Sequence, residues 1–255
     1  MRSKTKAAAA VSALLLASTA ASAQFTDNTV KIGVLTDLSG LYADLSGPGV
    51  VWAAKKAVED FKGEARGMKV EVVSADHQNK PDIGANIARK WFDVEQVDVI
   101  VDLVTSSVAL AVSGVAKEKN KVALVSTAAS SDLTGKSCNA NTIHWTYDTT
   151  ALANGTGKAL VKAGGDSWFF LTADYAFGHA LERDVSAVVT GSGGKVLGAI
   201  RHPFPGTDFS SFLLQAQASR PRSSGWRTPA AIPSTRSRRR PNSASRRAAR
   251  SSRGC

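Results

Sequence analysis

Between residues 29 and 219, short apolar runs alternate with stretches in which apolar residues recur at helical spacing. Val30, Ile32, Val34 and Leu35 suit a strand buried on both faces of a parallel sheet. The run continues Thr36-Asp37-Leu38-Ser39-Gly40-Leu41-Tyr42-Ala43-Asp44-Leu45-Ser46-Gly47-Pro48-Gly49, a small-residue loop rich in turn formers. Val51, Ala54, Val58 and Phe61 then mark the apolar stripe of a helix. The pattern repeats. Met68–Ala75 alternates like a strand with one partly exposed face, and Asp76–Asp82 is polar, with Pro81 suited to a helix entry. Ile83, Ile87, Trp91 and Phe92 form the next stripe, and Val97–Val101 the next strand. Thr105-Ser106-Ser107 reads as a loop and candidate N-cap. A helix over 109–119 and a buried strand at Val122–Val125 follow, ending in the loop Ser126–Thr134.

Thr142–Asp148 is short, aromatic and β-prone, and a second series begins after it. Its pattern predicts helices over 151–163, 179–189 and 209–218, and strands over 167–172 and 195–200. Gly164-Gly165 and Gly191-Ser192-Gly193-Gly194 precede strands, so they read as turns rather than phosphate loops. Alternating strand and helix implies parallel sheets with right-handed crossovers. The fold class is therefore α/β, and ligands of such sheets bind at the carboxyl ends of the strands. Hydroxyls and free amides at strand ends and helix N-termini can satisfy an anion without a counter-charge. Ser106 and Ser107 carry such hydroxyls; helix capping is the alternative for each, and the two roles can coexist.

Charge changes the picture only when it is located. The formal net charge is +11, and residues 220–255 hold eleven arginines with no Asp, Glu or Lys. Residues 1–219 therefore balance to zero, and without Arg2, Lys4 and Lys6 the balance is −3. A body of that charge has no broad basic face for nucleic acid.

Arg2, Lys4 and Lys6, then apolar Ala7–Ala17, then Ala21-Ser22-Ala23 make the three parts of a secretory signal, expected to be cleaved after Ala23. The apolar run is too short to span a bilayer. No later stretch has the length and apolarity of a transmembrane helix, so an exported soluble protein is expected. Cys138 and Cys255 make no disulfide framework, and His77, His144, His179 and His202 are scattered without metal-ligand spacing. No nucleophile elbow, Walker loop or paired-carboxylate spacing is present, so neither an enzyme nor a cofactor or metal is expected.

The run from Val30 to Ser219 resembles the branched-chain-amino-acid-binding family of periplasmic solute-binding proteins that serve ABC importers. The residues that carry the resemblance are Ile32–Gly40, Thr105–Ser107, Val125–Ser130, Ala173-Asp174-Tyr175-Ala176-Phe177-Gly178 and Pro205–Leu213, in this order and spacing. The resemblance implies two α/β lobes joined by hinge crossings and closing on a small carboxylate such as an amino acid. The domain limits that follow are a signal peptide at 1–23, lobe one at 24–146 and a partial lobe two at 147–219. By position, the carboxylate would meet Ser106, Ser107, Ala128, Ala129 and Ser130. Phe177 and Tyr175 would add aromatic surface from lobe two, and Tyr42 and Trp145 are further aromatic candidates; core packing is the alternative for both. The implied partner is an ABC permease, and the implied location is the periplasm. A ligand-sensing receptor domain has the same fold and is the alternative reading.

After Ser219 the composition turns to Arg, Ser, Ala, Pro and Gly without apolar periodicity, so 220–255 is expected to be a disordered tail. Trp226–Thr235 can be written TGG CGA ACG CCG GCG GCG ATA CCA TCA ACx. With one C in front, the same bases spell Leu-Ala-Asn-Ala-Gly-Gly-Asp-Thr-Ile-Asn, a strand end, a Gly-rich loop and a helix start similar to the family's next motif. The tail is therefore read as out of frame, which would leave lobe two incomplete and make a non-functional truncated product a further reading.

Overall fold

The computed structural model describes residues 28–62, 64–65, 67–219 and 223–225. The expected leader and most of the arginine-rich tail lie outside these residues. The chain divides into two compact units, Met1–Thr146 and Tyr147–Cys255.

Unit one is a six-stranded sheet in the order β2-β3-β1-β4-β5-β6. Its strands are β1 (Thr29–Thr36), β2 (Glu64–Ala65), β3 (Met68–Asp76), β4 (Val99–Asp102), β5 (Val122–Val125) and β6 (Thr142–His144). Every pairing is parallel except β2 with β3. Helices α1 (Gly47–Asp60), α2 (Pro81–Asp93) and α3 (Ser106–Glu118) connect β1 to β3, β3 to β4 and β4 to β5. The chain steps from β1 to β3 on one side, then returns past β1 to β4 on the other. That reversal is a topological switch point, which opens a crevice beyond the carboxyl ends of β1 and β4.

The core of unit one gathers Leu35, Trp91, Phe92, Val97, Ile100, Leu103, Val108, Val112 and Val115. Two glycines set its spacing. A Cβ on Gly33 would lie 2.5 Å from the Trp91 ring, and one on Gly84 would lie 2.5 Å from Val108 Cγ1, so strand and helices approach closely. The α1 stripe is only partly used: Val51, Ala54 and Val58 are half-buried, whereas Phe61, placed at the end of the helix, is 69% exposed. Phe61 is the C-cap residue, where the chain has left helical geometry and the stripe no longer points at the sheet.

Among the described residues, unit two holds a three-stranded parallel sheet in the order β8-β7-β9, with β7 (Ser167–Ala173), β8 (Lys195–His202) and β9 (Ser223–Gly225). Its helices are α4 (Thr149–Leu152), α5 (Lys158–Lys162), α6 (Ala176–Gly191) and α7 (Ser210–Ala218). Ala153, Trp168, Phe170, Val185 and Val189 form its core, and Trp168 Nε1–H donates to the Gly165 carbonyl at 2.8 Å.

Two further differences from the sequence reading have physical causes. The single helix expected over 151–163 is interrupted by a π-helical turn, Ala153–Gly157, which separates α4 from α5. That turn holds Gly155 and Gly157, and a Cβ on Gly157 would meet Val188 at 3.4 Å, so α6 packs closely there. The second difference is β9, which lies inside the stretch expected to lack structure. Ser223, Ser224 and Gly225 pair with Trp168, Phe169 and Phe170 of β7. A strand edge offers backbone N–H and C=O groups that a segment can match whatever its side chains.

Candidate functional site

The ends of β1, β3 and β4 each carry an aspartate: Asp37 just past β1, Asp76 closing β3 and Asp102 closing β4. Asp37 is fully buried and builds the loop beyond β1. Its Oδ1 accepts the Gly40 amide and its Oδ2 the Tyr42 amide, both at 2.8 Å, while the Asn79 side-chain amide donates to Oδ2 at 2.5 Å. Gly40 is required there, because a Cβ would lie 2.7 Å from Asp37 Oδ1. Asp76 accepts the Leu38 and Gln78 amides and the Ser39 hydroxyl. Partial burial raises its pKa, but these hydrogen bonds outweigh that effect and hold it below the ordinary carboxylate value.

Asp102 joins three segments and is also fully buried. Its Oδ2 accepts the Ser46 hydroxyl at 2.6 Å, and its Oδ1 accepts the Thr127 hydroxyl at 2.5 Å and the Ser126 hydroxyl at 3.5 Å. Its backbone lies in the left-handed region, φ 82°, and the next residue Leu103 follows at φ 60°. Two successive non-glycine residues in that region are strained. The turn they make carries the chain off β4 toward α3.

His77 sits among these carboxylates, fully buried. Its Nδ1 accepts the Asn79 amide at 3.0 Å, which leaves the ring proton on Nε2. Burial pushes its pKa below the ordinary histidine value, against the opposing pull of Asp37, Asp102 and Asp76.

The N-cap residues of α1 and α3 spend their hydroxyls elsewhere. Ser46 caps α1 by position but donates to Asp102. Thr105 caps α3 by position, yet its hydroxyl donates to Asn79 Oδ1. Neither helix start has a side-chain cap, and neither has an acid in its first turn. The first amides of both helices are therefore left without a capping side chain.

Ser106 and Ser107 open α3 rather than cap it. Ser106 is buried, and its hydroxyl accepts the Ser130 amide at 3.3 Å. Ser130 caps the short 3-10 turn Ser131–Leu133 through its own hydroxyl. Ala128 and Ala129 are buried in the same loop, and the Ala128 carbonyl is 2.7 Å from His144 Nε2. The structure thus brings Ser106 together with the Ala128–Ser130 loop, and leaves Ser107 half-buried on the next position of the helix.

The aromatic candidates divide. Tyr42 is 7% exposed, while Trp145 is 79% exposed just past β6. In unit two, Phe177 is buried in the first turn of α6, and Tyr175 is half-buried and stacks on Phe204 with ring centroids 4.0 Å apart. Tyr175 and Phe177 are themselves 6.1 Å apart.

Sequence reasoning missed the framework of Asp37, Asp102, Asn79 and His77. A signal was present: three parallel strands run into an aspartate where the apolar run ends, and a carboxylate at that point must be paired with donors.

Comparison with known proteins agrees with this architecture. The family described as "Periplasmic binding protein" matches residues 29–226. The Leu/Ile/Val-binding protein homolog 6 of Brucella abortus is 28% identical over 211 residues, covering 82% of this chain and 53% of the relative. A crystal structure of a periplasmic binding protein from Burkholderia mallei is 54% identical, with a TM-score of 0.75, over 76% of this chain and 52% of that one. A solute-binding protein of an ABC transporter from R. palustris, in complex with benzoate, is 26% identical, with a TM-score of 0.69, over 76% and 53%. The chain spans about half the length of the relatives it matches.

Proposed function

Since the chain belongs to the periplasmic binding protein family, we propose that it is the periplasmic substrate-binding component of an ABC importer. Its ligand is a small carboxylate, a branched-chain or aromatic amino acid or a benzoate-like acid, handed to an inner-membrane permease. Ser106, Ser107 and the Ala128–Ser130 loop form the carboxylate-facing surface of unit one, with Tyr42 beside it. Trp145, Tyr175 and Phe177 are the further aromatic candidates.

One observation carries the reading: α3 begins at the switch point with no capping side chain and no acid in its first turn. The Ser106 hydroxyl in its first turn accepts the Ser130 amide of the loop after β5. A helix start of that kind favours an anion. The relatives support the ligand class, one being named for Leu, Ile and Val and another holding benzoate.

The test is a thermal-shift and calorimetric panel of L-leucine, L-phenylalanine, benzoate and 4-hydroxybenzoate. A ligand that binds only the folded state adds about 2.7 kcal/mol of stability at a hundredfold excess over Kd and so raises the unfolding temperature. No shift with any member sinks the proposal.

A further inference from the structure

We propose that Asp102 is a positioning residue that holds three loops of unit one in a single arrangement around the carboxylate-facing surface; this rests on the functional reading above. Asp102 touches none of the proposed ligand groups. It acts through Ser46 at the start of α1, Ser126 and Thr127 in the loop after β5, and its own turn into α3.

Three observations converge. The carboxylate is fully buried, so each oxygen needs donors, and hydroxyls from two separate loops supply them. Ser46 occupies an N-cap position but donates to Asp102 instead of to its own helix, so a local bond is replaced by one spanning 56 residues. Asp102 and Leu103 are both left-handed, a backbone state that persists only where surrounding contacts over-determine it. The strained turn sets where Thr105 and Ser106 begin α3, and the Ser126 amide bonds back to the Asp102 carbonyl at 3.2 Å. One side chain and its own backbone thus fix both components of the carboxylate-facing surface, the α3 start and the β5 loop.

The informative variant is Asp102→Asn. Asparagine adopts left-handed φ as readily as aspartate, so the turn survives, but one acceptor oxygen becomes a donor facing a hydroxyl. Amide hydrogen exchange of the full chain, without ligand, reads the coupling directly. D102N should speed exchange about tenfold in Leu38–Gly47 and in Ser126–Ser130 together, with the amides of β1, β3 and α2 unchanged. Thr127→Val should loosen only the second segment, Ser46→Ala only the first, and Thr127→Ser neither. Uniform acceleration over the whole sheet, or a change confined to residues 103–105, overturns the positioning role. Calorimetry with L-leucine and benzoate then separates the two ideas. If wild type binds either probe, D102N should weaken it about tenfold. Unchanged affinity alongside loosened loops would also overturn the role. If wild type binds neither, the functional reading fails, and the exchange pattern still decides whether Asp102 couples the loops.

Discussion

The Ser106 hydroxyl accepts the backbone amide of Ser130 at 3.3 Å and so ties the first residue of α3 to the loop after β5. Both residues are buried. Serine here does two things at once: it satisfies an amide that would otherwise be orphaned, and it leaves its own O–H to donate elsewhere. Ser106→Ala removes the acceptor and should cost about 1–3 kcal/mol of stability through the unpaired Ser130 amide. Ser106→Ala combined with Ser130→Ala should weaken binding of whichever panel acid shifts the wild type, while urea unfolding stays cooperative. Unchanged affinity in the double variant would remove these residues from the ligand surface.

His77 supplies a pH dependence with a defined sign. Burial depresses its pKa in the folded chain below the ordinary 6.5. Below about that pH the unfolded chain takes up a proton that the folded chain refuses, so stability falls as pH falls. Above it both states are neutral, and His77 adds no slope. His77→Asn keeps an oxygen able to accept the Asn79 amide. The variant should flatten the stability curve on the acid side of pH 6.5, by at most about 1.4 kcal/mol per pH unit, the limit for one proton. Parallel wild-type and variant curves from pH 5 to 8 would show that His77 does not contribute.

Much of the architecture was legible because it rests on local patterns. Val122–Val125 is a strand to the residue, and Pro81 does open α2. Trp91 and Phe92 are buried in the core and Ile87 packs half-buried against it, while Ile83 at the start of the stripe is half-buried outside that cluster. What was not legible depends on contacts far apart in sequence. Thr105 looks like a helix cap, but its hydroxyl is taken by Asn79, 26 residues away. Tyr42 and Trp145 look alike as loop aromatics. Tyr42 is drawn inward because its amide is fixed by Asp37, whereas Trp145 follows an edge strand with nothing over it among the described residues. Burial of the Asp37–Asp102–His77 group follows from strand order, which no local window contains.

Two glycine substitutions should act in opposite directions. In the first turn of α6, a Cβ on Gly178 would lie 2.0 Å from the Ala173 carbonyl oxygen, a backbone atom that cannot swing aside. Gly178→Ala must push α6 off β7, and should cost about 1–3 kcal/mol or more despite alanine's better helix propensity. Gly114 lies exposed in the middle of α3, with nothing within 4 Å of an added Cβ. Gly114→Ala should stabilise by about 0.5–1 kcal/mol. Chemical denaturation of the pair measures both, and the same sign for both would contradict the packing described.

Asp37 offers the sharpest test of the loop beyond β1. Its two oxygens take three donors: the Gly40 and Tyr42 amides and the Asn79 side chain. All lie where the carboxylate is fully buried. Asp37→Asn keeps the shape but turns one oxygen into a donor; with its nitrogen at the Oδ1 position it faces the Gly40 N–H, and one buried donor loses its partner. That loss should cost about 1–3 kcal/mol, with an unchanged denaturant slope. Asp37→Ala strands all three donors, and should cost more than Asp37→Asn. The Asn79 amide held by Asp37 also places the oxygen that accepts Thr105, so Asp37→Ala should loosen the start of α3 as well as its own loop. Hydrogen exchange at Gly40 and Tyr42 that stays at the wild-type rate in Asp37→Ala would show that the loop is held by something other than this carboxylate.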